Sequence, residues 1–215
     1  MVQKEEERHL GRPRAYDPEV ALQRAMEAFW DGGFSGTSLD DLSTRTGMNR
    51  PSLYAAFGDK QALYLKTLKE YVVSRRAMIA TALGRGDRPL RDALRQIYER
   101  MIDNFSAGER GARGCYLVGT AATEAVQSPE VREMLAKSLG ELDETFRSAF
   151  AAARARGELD RKADPQALAV LASAVVHTLA FRARSGQPRA VLRAVADSAV
   201  TLIFGDRPAR KRRRR

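Results

Sequence analysis

The chain has 215 residues and a formal net charge of +10; alanine, leucine and arginine dominate it, and runs of Val, Ile and Thr are scarce. That length suits one large or two small domains with a real core, the composition argues against a sheet-based fold, and the positive balance favours an anionic partner such as nucleic acid or a membrane surface. A single cysteine, Cys115, excludes an intramolecular disulfide framework and fits a reducing, cytoplasmic compartment. The leader MVQKEEERHLGRPR has no apolar core of the kind a signal peptide needs and reads as a flexible basic arm over residues 1–14. Asp17-Pro18 then opens a helix, with Asp as cap and Pro at the first helical position. Leu22, Ala25, Met26, Phe29 and Trp30 recur at helical spacing, and Gly32-Gly33 supplies the stop. Thr37 or Ser38 caps a short second helix carrying Leu39 and Leu42, which ends at Thr46-Gly47.

A third helix, about Arg50 to Phe57, is short and aromatic, and Asp59 caps a long fourth. Leu63, Tyr64, Leu68, Tyr71, Val72, Met78, Ile79 and Leu83 form the apolar stripe of the fourth helix. A fifth helix uses Leu90, Leu94, Ile97, Met101 and Phe105; a Gly-rich loop follows, and a sixth, shorter helix is predicted over Tyr116 to Val126. Ser128-Pro129, Asp164-Pro165 and Pro188 open a seventh, an eighth and a ninth. The pattern is all-α, about nine helices, with no competing strand pattern and no internal repeat. The longest apolar run, Ala167 to Phe181, is broken by Ser173, His177 and Thr178. It falls short of the ~20 residues that span a bilayer, so a buried helix is expected and no membrane partner. Arg207 and the block Arg210 to Arg215 carry seven of the positive charges and leave the rest near +3, so residues 206–215 read as a disordered basic tail.

Helices two and three, joined by about four residues containing Gly47, have the layout of a helix-turn-helix. In that motif the second helix enters the major groove, and its first residues reach base edges. Here those residues are Asn49, Arg50, Pro51 and Ser52. Arg50 can pair with guanine acceptors and Asn49 with adenine or a phosphate. Leu53 and Phe57 are spaced to face inward, which turns the Tyr54 hydroxyl toward a phosphate. Lys60, in the first turn of a helix, opposes the macrodipole and becomes useful beside a phosphate.

The segment from Tyr16 to Leu65 resembles the DNA-binding domain of the TetR family of bacterial repressors. The resemblance rests on Phe29-Trp30, on G-G-F-x-G-T-S from Gly32 to Ser38, on L-x-x-L ending in T-G, and on Leu53-Tyr54-x-x-Phe57-x-x-Lys60. It implies an N-terminal three-helix DNA-binding domain over 15–62 and a helical ligand-binding and dimerisation domain over 63–205. It also implies double-stranded DNA as partner, with contacts from Thr37, Ser38, Arg50, Pro51, Ser52, Tyr54 and Lys60. Asn49-Arg50-Pro51 departs from the family's commonest spelling and leaves the operator sequence open. In the arm, Arg8, Arg12 and Arg14 surround Gly11-Pro13 as in an AT-hook core, which lays arginines in a narrow minor groove; Arg12 and Arg14 are the arm's candidate contacts.

The resemblance further implies a homodimer through the last two helices and an effector pocket among helices four to eight. The alanines at 167, 169, 172, 174, 180, 190, 194, 196 and 199 allow close helix approach, with Val175, Val195 and Leu202 as apolar area. Tyr98, Met101, Cys115, Tyr116, Thr120, Glu124, His177 and Phe181 are candidate pocket residues for an effector of unknown identity. RGCYLVGTAATE resembles a segment of one branch of the family in which some members use the cysteine to sense electrophiles or oxidants. A thiol at a helix start with Arg110 and Arg113 upstream suits that role, and burial as a small hydrophobe is the plainer alternative. Two other readings stay open: a ligand-independent or architectural DNA binder, and a hydrolase in which His177 orients Cys115. No metal-ligand cluster, phosphate loop or paired-carboxylate site stands out, so no metal, cofactor or enzymatic activity is expected.

Overall fold

A computed structural model describes residues 17–84, 88–108 and 111–205. The arm with Arg8, Arg12 and Arg14, Arg110, and the tail from Arg207 lie outside the described residues. Among the described residues the fold is all-α. Helix α1 (Pro18–Gly36) starts where the Asp17 carboxylate accepts from the backbone N–H groups of Glu19 and Val20. It is broken rather than stopped at Gly33, whose φ of 73° is open to glycine at little cost. Helix α2 (Leu39–Thr46) begins in a reciprocal capping box between Ser38 and Asp41 and ends on Gly47 in the left-handed region. Helix α3 (Arg50–Phe57) is capped by Asn49 and closed by Gly58. Helix α4 (Lys60–Gly84) is 25 residues long, so the expected domain boundary at 62/63 falls inside it. Its first turns pack on α1 while the rest packs on α5 and α7.

Helix α5 (Leu90–Ser106) carries the expected buried stripe of Leu94, Ile97, Met101 and Phe105. The sixth element differs from its prediction: Leu117–Ala121 is a π-helical segment, continued by a single α turn, α6 (Ala122–Glu124). Helices α7 (Pro129–Ala155), α8 (Pro165–Arg184) and α9 (Arg189–Phe204) complete the bundle, α7 and α8 opening on the side-chain caps Ser128 and Asp164 and α9 on Pro188. By length and composition alone the 20-residue α8 could cross a membrane, with a mean hydropathy of 1.4 over an 18-residue stretch. The apolar run read in the sequence therefore understates this helix. Its Ala169, Ala172, Val176, Leu179 and Ala183 face is buried against α5, α7 and α9, which makes it a core helix.

One apolar core runs through both halves. Near α3 it contains Phe29, Leu42, Leu53, Phe57 and Leu63; in the bundle it contains Leu94, Tyr98, Phe105, Phe146, Phe150 and Val200. Fully burying each such side chain contributes roughly 2 kcal/mol.

Candidate nucleic-acid interface

The turn between α2 and α3 depends on Gly47, at φ 72°, a conformation other residues reach with strain. Asn49 then points its Oδ1 at the Ser52 N–H, 2.9 Å away, which caps α3 and leaves the amide N–H groups of Asn49 free to donate outward. Leu53 and Phe57 are buried, with α3 packed on α2 and α4, so the opposite face, with Arg50, Pro51 and Tyr54, is solvent-exposed. Tyr54 keeps 47% of its surface exposed despite its size. Arg50 donates through Nε (3.0 Å) and Nη2 (2.6 Å) to the same Oδ1 of Asp40 on α2, and this carboxylate beside it raises the arginine's already high pKa.

Lys60 opens α4 with its Nζ 4.5 Å from the centroid of the Phe34 ring, a cation–π contact that holds the charge near the start of α4. Asp59 accepts from the Ala62 N–H at 2.7 Å and satisfies part of that helix start. From nearly two turns further along α4, Lys66 donates to the carbonyls of Ala56 and Phe57. A cation at the C-terminal end of α3 suits its dipole and pins the short helix.

Two expected contacts at the start of α2 are already engaged inside the protein. Thr37 is 3% exposed, and its hydroxyl donates to the carbonyls of Gly33 (2.7 Å) and Ala28 (3.2 Å). Its side chain closes the bend at Gly33 rather than facing outward, which corrects the expectation of a side-chain contact to DNA. Ser38 is exposed, but its hydroxyl donates to Asp41 and accepts from the Asp41 N–H.

Residues 21–67 match the family described as bacterial regulatory proteins, tetR family, and residues 91–198 match the tetracyclin repressor-like C-terminal domain. The chain belongs to the tetR family of bacterial regulatory proteins. It is 30% identical over 151 residues to the uncharacterized HTH-type transcriptional regulator YezE of Bacillus subtilis, covering 70% of this chain and 77% of that one. It is 27% identical over 192 residues to the HTH-type transcriptional repressor ComR of Escherichia coli, covering 89% and 91%. A solved structure of the regulator CifR, a cysteine-substituted form complexed with a 26-bp double-strand operator DNA, is similar with a TM-score of 0.77 at 32% identity, covering 90% of this chain and all of that one. The chain is thus a DNA-binding transcription regulator.

In this tetR-family chain none of the candidate effector residues lines either of two cavities between helices among the described residues. Tyr98 and Met101 are sealed between α5 and α8, the Tyr98 hydroxyl donating to the Ala172 carbonyl at 3.2 Å. Burial alone pushes the Tyr98 phenol well up. Phe181 is 62% exposed on α8, unlike the buried Tyr98 and Met101. Thr120 and Tyr64 share a hydrogen bond of 2.8 Å, as do Tyr116 and Thr67. Burial pushes Tyr64 up to about 12 and Tyr116 higher still. Glu124 lies close enough to Tyr64 to add to that shift. A cavity of about 340 Å³ lies between α1 and α4, lined by Glu19, Leu22, Gln23, Met26, Thr67 and Glu70.

Cys115 is buried, and its sulfur accepts from the Tyr71 hydroxyl (3.4 Å) and from Arg75 Nη1 (3.6 Å). Among the described residues no hydrogen bond joins it to His177. That imidazole is held toward its neutral form by burial and then by Arg75, against Asp143. Tyr71 and Tyr116 pack their rings on Trp30 of α1. Arg113 lies over the same Trp30 and 3.9 Å from Asp31, which pairs with Arg45 of α2 at 2.8 Å. Sequence reasoning missed Asp40, Lys66, Asp31, Tyr71 and Arg75 as functional neighbours. Arg75 alone carried a signal, a charge set between Tyr71 and Ile79 on the apolar stripe of α4.

Proposed function

We propose that this regulator is a homodimeric transcriptional repressor that holds a palindromic operator through α3 and releases it when Cys115 is chemically modified. The observation that carries the DNA half is the exposed face of α3. Arg50, Pro51 and Tyr54 stand outward over a buried Leu53 and Phe57, with Lys60 at the next helix start. Arg50 reads base edges, Asn49 and Ser52 stand beside it, and Tyr54 and Lys60 hold the backbone on either side. Arg12 and Arg14 add minor-groove contacts from the arm. A regulator working on DNA acts in the cytoplasm, and its role is regulatory rather than catalytic, in keeping with relatives named as regulators.

Dimerisation is supported by an unburied apolar stripe. On α8 it runs through Ala167, Val170, Leu171, Ala174 and Phe181, and on α9 through Val191, Ala194 and Leu202. These recur at helical spacing and face away from the core, so a second copy covers them. The signal half is supported by the route from Cys115 through Tyr71 and Trp30, and from Arg113 through Asp31 to Arg45, into the helix-turn-helix.

Binding of a labelled palindromic operator by fluorescence anisotropy tests both halves. Lys60→Ala and Tyr54→Phe should weaken binding to every sequence, and Lys60→Ala should lower the salt slope by about one. Unchanged affinity and slope for Lys60→Ala would defeat the docking arrangement. Cys115→Ser should bind DNA as the parent does and stay bound under oxidant; equal release from that variant would place the signal elsewhere.

A further inference from the structure

Arg75 is an unusual residue to bury. It is 8% exposed in the middle of α4, and among the described residues no carboxylate lies within ion-pair distance of it. Its guanidinium touches two things: the Cys115 sulfur, 3.6 Å from Nη1, and the ring of Tyr71, whose centroid is 5.7 Å from Cζ. The titratable groups facing this region are His177 and Asp143, together with Arg76 and Glu141, which share a cavity with Arg75 and pair with each other at 3.5 Å. His177 is held toward its neutral form, and Asp143 is engaged by the Ser173 hydroxyl. A buried cation without a carboxylate costs stability unless another anion stands beside it. The Cys115 sulfur is the acceptor that Arg75 contacts, and Tyr71 aims a second donor at it.

The space nearby is small. Cys115 is 2% exposed, and the cavity of about 20 Å³ that Arg75 lines with Val72, Arg76, Ile79 and Glu141 between α4 and α7 is not lined by the sulfur. A sulfur so closed in is reached by a molecule near the size of water more readily than by a bulky reagent. Hydrogen peroxide is of that size; a substituted enone or epoxide is not.

We propose that Cys115, Arg75 and Tyr71 form a site selective for hydrogen peroxide, an inference that rests on the reading of Cys115 as the signal site. The thiolate attacks one peroxide oxygen. An S–O bond forms as the O–O bond breaks, and two electrons pass from sulfur to peroxide. The sulfur becomes a sulfenic acid, and the other oxygen leaves as hydroxide, which takes a proton from solvent to give water. Arg75 and Tyr71 present donors where negative charge collects on the sulfur and on the departing oxygen. With no second cysteine in the chain, the sulfenic acid has no intramolecular thiol to close on. The added oxygen has to be accommodated against Tyr71, which packs on Trp30 of α1.

The test uses the full chain as parent, Arg75→Met, Arg75→Lys, Tyr71→Phe and Cys115→Ser. Sulfenic acid is trapped with dimedone and counted by mass, and N-ethylmaleimide alkylation is followed in parallel as the bulky reagent. Each rate is divided by that of the same chain in denaturant. Folding should speed peroxide oxidation and slow maleimide addition. Arg75→Met should reduce the peroxide ratio by about tenfold or more, with part of it kept in Arg75→Lys and no matching fall for maleimide. If Arg75→Met does not fold, as judged by circular dichroism, Tyr71→Phe removes a single hydroxyl and carries the same comparison. Peroxide ratios independent of both residues, or equal slowing of both reagents, would overturn the proposal. Operator release is measured on the same samples: peroxide release from Cys115→Ser equal to the parent's would defeat the functional reading, while the rate ratios decide this inference separately.

Discussion

The guanidinium of Arg50 is held from α2 by Asp40, which accepts from both Nε and Nη2 through one oxygen. An exposed pair of this kind contributes little to stability, so its consequence lies in where the arginine points. Asp40 limits the rotamers of Arg50 and sets a negative charge beside it. Arg50→Ala should cut discrimination between operator and single-base variants roughly tenfold at one position. Asp40→Asn should raise affinity for unrelated DNA while reducing that discrimination. Anisotropy titrations against a panel of substituted operators at fixed salt read both effects; an Asp40→Asn variant that keeps full discrimination would show that the pair is incidental. The exposed place of Arg50 at the start of α3 was legible in the sequence because the turn before the helix defines its first residues. Asp40 was not, since only the crossing of α2 and α3 brings these two side chains together.

At the scale of elements, the caps were legible and the irregular segment was not. Asp17, Ser38, Asp59, Ser128 and Asp164 each accept from the N–H groups of the helix that follows, because a short polar side chain reaches those groups without help from the rest of the fold. Ser38→Ala should lower stability by about 1 kcal/mol in the absence of DNA, seen as a lower urea midpoint. The carboxylate half of that box is Asp41, whose pKa is lowered from 3.8 first by the Ser38 hydroxyl and then by the Ser38 N–H. Its contribution is complete above 3.8 and is lost as the pH falls through the lowered value, so the gap between Ser38→Ala and the parent should close in acid. A gap unchanged by acid would mean that Asp41 takes no part. The π-helical Leu117–Ala121 has no such local signature. Its apolar residues suit an α-helix, and the wider turn reflects packing against α1, α7 and α8.

At the scale of the whole molecule, five of the nine large apolar side chains exposed among the described residues lie on the stripe of α8 and α9. Leu202 is 81% exposed and Phe181 62%, values uncommon for side chains of this size unless another surface covers them. Phe181→Glu or Leu202→Glu should yield a monomer by sedimentation and weaken binding to the full palindrome about a hundredfold, because linking two half-site readers is worth that much in effective concentration. A dimer that survives both changes would place the interface on another face. Alanine content marked these helices in the sequence, yet the individual assignments divided. Ala169, Ala172, Ala180, Ala196 and Ala199 pack inside the chain, as does Val175, while Ala167, Ala174, Ala190 and Ala194 face out. Which side of an alanine-rich helix is the outer one depends on where its neighbours stand. By itself the sequence determined the helical class, the caps, the Gly47 turn and the exposed face of α3, because each rests on interactions within a few residues. Only the tertiary structure decided that Asp40 holds Arg50, that Thr37 turns inward, that Phe181 lies outside the core and that Arg75 meets Cys115. Those are meetings of side chains on different helices, and they depend on the angles at which the helices pack.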